Sequence, residues 1–275
     1  MVKKTLKIVC AVSLIVSGLI AKEGYDFGVI STVSPTEDAK KLAPLLSYLS
    51  QEVGQKVSFK TGKNYADTID KFSSGEFEIG FIGPSPYIIA TKKEKNLEIL
   101  AGVETKGKPF FHGVIVARKD NAEINSVTDL KGKKFAFGSK ESTLSFYTPA
   151  KALLDANVKA SLAGFEFLGK HDIVAQNVVA KKFDAGGIQE SVATKYAEHL
   201  KVIQKSEPMY DFMIVAHKNL SPEVKAKFKA ALLKLKDPAI LEAIKPGATG
   251  FVETNEKNYD NLRVMMEQVD EAFAK

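Results

Sequence analysis

Short apolar runs alternate with stretches of helical periodicity from Tyr25 to Phe273, and this alternation is what most limits the folds open to the chain. Tyr25–Ile30, Ile79–Ile82, His112–Arg118, Lys134–Gly138, Ala185–Ile188 and Phe212–Ala216 read as strands. Thr36–Val53, Tyr65–Ser73, Ser85–Lys93, Ile173–Lys181, Pro222–Lys234 and Tyr259–Phe273 read as helices. Helices inserted between strands cover the faces of largely parallel sheets, so the pattern predicts an α/β architecture. Such sheets bind ligands beyond the carboxyl ends of their strands. Gly83-Pro84-Ser85-Pro86 marks one such end: the run Phe77–Ile82 stops there, and Ser85 is expected to cap a helix that begins at Pro86.

The N-terminus speaks to compartment. Lys3, Lys4 and Lys7 precede an apolar run from Ile8 to Ile20, and Ala21 precedes a polar stretch. This is the layout of a cleaved secretory signal peptide over residues 1–21, with a retained N-terminal anchor as the alternative. The run is short of the about 20 residues that a membrane span needs. Cys10, the sole cysteine, leaves with that leader, so the exported chain is expected to be held by its own core without disulfides. Losing residues 1–21 removes three lysines and no acid, which lowers the formal charge from +6 to +3. So mild an excess, with no basic patch, argues against a nucleic-acid binder. His112, His199 and His217 lack acidic or cysteine partners at ligand spacing, so no metal is expected, and nothing calls for a cofactor. Serine-hydrolase, phosphate-loop and dinucleotide motifs are missing, which points away from an enzyme.

Several segments, taken in order, carry a resemblance. They are Gly28–Thr32 (GVIST), Leu42–Leu49 (LAPLLSYL), Tyr65-Ala66 and Phe77–Tyr87 (FEIGFIGPSPY), then Asp129–Lys133 (DLKGK) and Ser142-Thr143. Gly169–Asp172 (GKHD), Glu207–Asp211 (EPMYD) and Leu220–Glu223 (LSPE) complete the set. Together they resemble the substrate-binding components of phosphate/phosphite/phosphonate ABC transporters. The resemblance implies a two-lobed periplasmic-binding-protein fold of type II. Lobe 1 would comprise residues 22–113 plus 211–275, and lobe 2 residues 114–210. Two crossover strands, through Phe110–Val114 and Ser206–Asp211, would form a hinge.

The resemblance also implies site residues. Ser142 and Thr143 fall on the family's Ser-Thr-Ser anion-binding turn, where short hydroxyls at a helix start hold an oxyanion. Leu144 stands at the third position, and Ser145 one place later could replace the lost hydroxyl. An ordinary helix cap would use the same residue types. Tyr65 matches a ligand-contacting tyrosine. Phe111 falls where a second one is common, which keeps the wall and loses the hydroxyl. His171 matches a ligand-contacting histidine able to give a charge-assisted bond. Asp211 matches a ligand-facing aspartate, which would select a protonated oxyanion and refuse sulfate. Thr32, Ser85 and Tyr87 are further candidates, and Glu190 lies near a position that receives a ligand amino group. The expectation is a monomeric periplasmic solute-binding component of an ABC importer, delivering a phosphorus oxyanion to a membrane permease. The alternatives are a sensory binding protein serving a membrane receptor, or a binder of another small anion such as a sulfonate.

Overall fold

The alternation resolves into two sheets in a computed structural model that describes residues 24–31 and 34–274. The leader and Thr32 lie outside the described residues. In chain order the first elements are β1 (Tyr25–Val29), α1 (Pro35–Val53), β2 (Val57–Lys60), α2 (Tyr65–Ser73), β3 (Ile79–Ile82), α3 (Pro84–Lys93), β4 (Glu98–Thr105) and β5 (Phe110–Phe111). Next come β6 (Gly113–Arg118), β7 (Lys134–Phe137), α4 (Thr148–Asp155), β8 (Gly164–Phe167), α5 (His171–Val179), β9 (Ala185–Gln189), α6 (Glu190–Lys195) and β10 (Leu200–Lys205). The chain ends through β11 (Met209–Tyr210), β12 (Met213–Ala216), α7 (Pro222–Lys234), α8 (Pro238–Ile244), β13 (Ala248–Val252) and α9 (Asp260–Phe273).

One sheet runs β13-β4-β12-β3-β1-β2 and forms lobe 1; the other runs β10-β6-β9-β7-β8 and forms lobe 2. In each, a parallel set (β2, β1 and β3; β8, β7 and β9) continues into antiparallel strands. The chain passes between lobes at β5 and β11, which pair antiparallel, Met209 opposite Phe111 and Tyr210 opposite Phe110. Helix α1 buries Leu42, Leu45, Leu46, Leu49 and Val53. That spacing makes one apolar stripe on a 3.6-residue helix, and each leucine so buried contributes about 1.5–3 kcal/mol.

One strand, β13, escapes the sequence reading, and two more, β5 and β11, were expected only as the crossovers that the resemblance implies. β5 and β11 are two residues long, too short to show any period. β13 contains Gly250, and its register against β4 shifts between Ala248 and Gly250, so its alternation is broken. Helix α9 departs from both lobes' alternation: it packs on α3 of lobe 1 and on α4 of lobe 2. Its Phe273 ring sits among Phe137, Phe146 and Phe165 of lobe 2, at centroid distances of 5.6, 5.3 and 5.3 Å. Among the described residues, no helix is long and apolar enough to cross a membrane, and no group of His, Cys, Asp and Glu could hold a metal ion.

Candidate functional site

A cavity of about 280 Å³, its open mouth included, lies where the two lobes meet. Lobe 2 contributes Ser142, Thr143, Leu144, His171 and Gln189; lobe 1 contributes Ile30, Tyr65, Gly83, Pro86, Phe111 and Phe212. Five sequence candidates therefore come together: Tyr65, Phe111, Ser142, Thr143 and His171.

The lobe 2 side is built on a turn after β7. Ser142 caps a wide helical turn over Thr143–Tyr147, its Oγ accepting from the Ser145 N–H at 3.1 Å. Ser145 does not line the cavity. Its Oγ accepts from the Gly138 N–H and donates to the Gly187 carbonyl, each at 2.6 Å, which pins the turn to β7 and β9. A Cβ at Gly138 would lie 2.3 Å from that Oγ, so the close approach needs glycine.

His171 opens α5 and is 2% exposed. Its Nδ1 accepts from the Gln189 backbone N–H at 2.9 Å, which places the ring proton on Nε2. Nε2 stands 3.3 Å from Ser142 Oγ. Burial pushes the imidazole pKa down from its ordinary 6.5 to about 4, while the Asp172 carboxylate pulls the other way. The expected charged histidine is thus a neutral donor, held in one tautomer by β9. Ser142 Oγ accepts from the Ser145 N–H and, at 3.3 Å, faces the His171 Nε2–H, so its own proton remains to be donated. The Ser142 and Tyr65 hydroxyls are thus the donors that these residues keep for the cavity. Tyr65 is the first residue of α2, fixed there by Asn64, whose side chain accepts from the Asp67 N–H at 2.9 Å, and burial raises its pKa.

Lobe 1 aims α3 at the same place, but the first three helical positions bring it no free N–H. The helix begins at Pro84 with Gly83 as N-cap, two residues before the expected start at Pro86, because the Ser85 side chain is engaged elsewhere. Pro84 and Pro86 have no N–H. The Ser85 N–H donates to Thr143 Oγ1 at 2.9 Å, and the Tyr87 N–H donates to the Gly83 carbonyl at 3.1 Å. Ser85 Oγ donates to the Glu141 carbonyl at 2.7 Å, so the proton between it and Thr143 Oγ1, also 2.7 Å away, comes from Thr143. The Thr143 hydroxyl is thereby committed to a clasp between the lobes.

The remaining candidates stand apart from the cavity lining. Asp211 is buried at the second crossover, where its carboxylate pairs with Lys245, accepts from the Phe212 N–H at 2.7 Å and takes the Thr105 hydroxyl at 3.3 Å. Lys245 Nζ also lies 5.5 Å from the Phe111 ring centroid. Tyr87 packs on Tyr259 in the core at 5.9 Å, where burial pushes its hydroxyl up to about 12. Glu190 is half-exposed and bonded to Lys205 at 2.7 Å. Sequence reasoning missed Gln189 and Phe212, each one residue from a named candidate, and the apolar Ile30 and Pro86, which carried no chemical signal.

Known proteins resemble this chain along most of its length. A family model described as "ABC transporter, phosphonate, periplasmic substrate-binding protein" matches residues 27–259. The phosphate-import protein PhnD of Mycolicibacterium smegmatis is 26% identical over 230 residues, spanning 75% of this chain and 71% of that protein. The phosphonates-binding periplasmic protein of Escherichia coli is 27% identical over 219 residues, spanning 75% of this chain and 64% of that protein. The structure of PhnD1 from Prochlorococcus marinus in complex with methylphosphonate superposes with a TM-score of 0.80 at 23% identity, covering 90% of this chain and 98% of that one, a likeness of fold.

Proposed function

We propose, from the premise that this chain belongs to the family of periplasmic substrate-binding proteins of phosphonate ABC transporters, that it captures a small phosphorus oxyanion between its lobes and delivers it to a membrane permease. Phosphonate, phosphite and phosphate are the candidate ligands. One observation carries the reading: the Ser142 and Tyr65 hydroxyls, with neutral His171 Nε2–H beside Ser142, line one cavity that has no charged side chain in its lining among the described residues. Neutral dipoles fixed in a partly dehydrated site hold an anion without an opposing full charge, which suits capture followed by release. Nothing in this set forms a nucleophile with an activating base, so the site reads as one that binds and does not turn over.

Residues 22–113 with 211–275 and residues 114–210 move as the two lobes about the β5–β11 ribbon, and ligand favours closure by touching both. The protein works as a monomer, exported behind the leader at residues 1–21. Thermal denaturation with methylphosphonate, phosphite, phosphate and sulfate tests the reading. A true ligand at 100 times its Kd stabilises the fold by about 2.7 kcal/mol. Ser142→Ala should weaken binding about 10- to 150-fold, the worth of a hydrogen bond to a charged group, and, by removing a cap, cost the fold about 1 kcal/mol. Stabilisation by none of the phosphorus oxyanions would overturn the proposal.

A further inference from the structure

We infer that Ser31 and Asp38 form a second subsite at the lobe 1 edge of the cavity, one that accepts a hydrogen-bond donor, an ammonium or a hydroxyl, carried on the ligand's substituent. This rests on the phosphorus-oxyanion reading above and deepens it. Among the described residues, three buried side-chain nitrogen or oxygen atoms have no hydrogen-bond partner. Two of them, Ser31 Oγ and Asp38 Oδ2, stand beside each other. Ser31 follows Ile30, a lining residue just past β1, and Asp38 lies in the first turn of α1. The pair thus sits beyond the carboxyl end of a lobe 1 strand, where such sheets take ligands. Asp38 acts electrostatically on Tyr65, which lines the cavity. It also feels Lys170 of lobe 2, the residue before His171 in the lining. Its carboxylate is therefore beside the cavity and between the lobes, one step outside the lining.

A buried polar atom without a partner costs free energy, and a buried charge costs more. Burial raises the Asp38 carboxyl pKa, and Glu37 adds to this, while Ser31, Lys41 and Lys170 pull the other way. A negative charge beside an anion site also repels a ligand that is anionic throughout. A ligand that carries a donor beyond its oxyanion relieves both penalties. With its oxygens on Ser142 and Tyr65, its substituent passes Tyr65 and meets two oxygens that accept. The other carboxylates around the cavity are already bonded: Asp211 to Lys245, Glu190 to Lys205 and Glu141 to the Ser139 hydroxyl. None of these three keeps a buried oxygen without a partner. The resemblance expects amino-group recognition near Glu190 of lobe 2; the orphaned oxygens move it to α1 of lobe 1.

Titration calorimetry with 2-aminoethylphosphonate, 2-hydroxyethylphosphonate and propylphosphonate tests this, since the third has the same length and no donor. At least one of the first two should bind about tenfold or more tighter than propylphosphonate, the worth of a hydrogen bond to a charged group, and the tighter of them names the donor. Asp38→Asn keeps the shape and removes the charge. It should shrink that preference to about threefold, while binding propylphosphonate at least as tightly as the parent does. Ser31→Ala removes the other acceptor and should lower the preference about threefold. A parent preference below tenfold would overturn the inference and leave the proposed function standing; no binding by any of the three or by methylphosphonate would overturn both. The inference also fails if both variants fold with the parent's circular dichroism and keep the full preference. It fails equally if Asp38→Asn weakens all three ligands alike, which would make Asp38 a tie to Lys170 across the lobes.

Discussion

The lobe 2 side of the cavity is polar and the lobe 1 side is largely apolar, although each lobe points a helix N-terminus at it. In lobe 2, α5 starts with His171 itself, and the Ser142 turn presents its hydroxyl beside it. In lobe 1, α3 starts Pro-Ser-Pro, so two of its first donors do not exist and a third is bonded to Thr143. A helix terminus is an anion site only while its N–H groups are free. The difference teaches that aiming a helix start at a cavity does not by itself furnish donors there; what its first residues are, and what they bond, decides.

The comparison would break most sharply at Lys245. It pairs with the buried Asp211 beside Phe212, and removing one partner of a buried pair costs about 3–5 kcal/mol. Lys245→Met should therefore destabilise the fold by about that much in urea denaturation. Asp211→Asn combined with Lys245→Met should recover most of the loss; a double variant as unstable as the single would mean that packing, not charge, is what Lys245 supplies.

On the lobe 2 side, His171 ties the site to pH. An unfolded histidine takes a proton below about 6.5, whereas the folded one refuses it until about pH 4. The unfolded state then binds more protons, so stability falls as pH drops through that window, by about 3 kcal/mol in all, and is fully present above it. Denaturation of the parent and of His171→Gln across the window should show the parent losing more by about that amount. Parallel curves would mean that the imidazole is not held neutral. Ligand binding between neutral pH and pH 8 should owe nothing to His171 charge, because the ring is already neutral there.

The smallest effect belongs to the clasp where the two sides touch. Ser85→Ala removes the hydroxyl bonds to Glu141 and Thr143 and keeps the backbone bond, a change worth about 1 kcal/mol. Ligand affinity should fall about fivefold. An unchanged affinity would mean that the Ser85 hydroxyl does not help to hold the lobes together on the ligand.

Periodicity and caps made much of this architecture readable. Helices α2 and α7 start and stop where their signals stand, after Asn64 and at Ser221-Pro222. Tyr65, Ser142 and His171 were readable as site candidates through the family resemblance of the segments that carry them, and the structure finds each at the start of a helical segment or as its cap. The commitments of Asp211 and Thr143 were not readable. Lys245 is 34 residues from Asp211, and Ser85 is 58 from Thr143, and no local period links such pairs. The same holds for Ser145, whose partner Gly187 lies 42 residues on. Asp211, Ser85 and Ser145 stand apart from the lining because their polar atoms found partners that only the tertiary fold brings near.

Helix α9 has a mechanical consequence. Two plates joined along one narrow ribbon can swing and can also shear past each other. A strut fastened to both plates away from that ribbon blocks the shear and leaves the swing. With α3 at one side and the Phe273 socket at the other, α9 is such a strut. A motion that parts the lobes must therefore either carry the socket along with α9 or pull the Phe273 ring out of it.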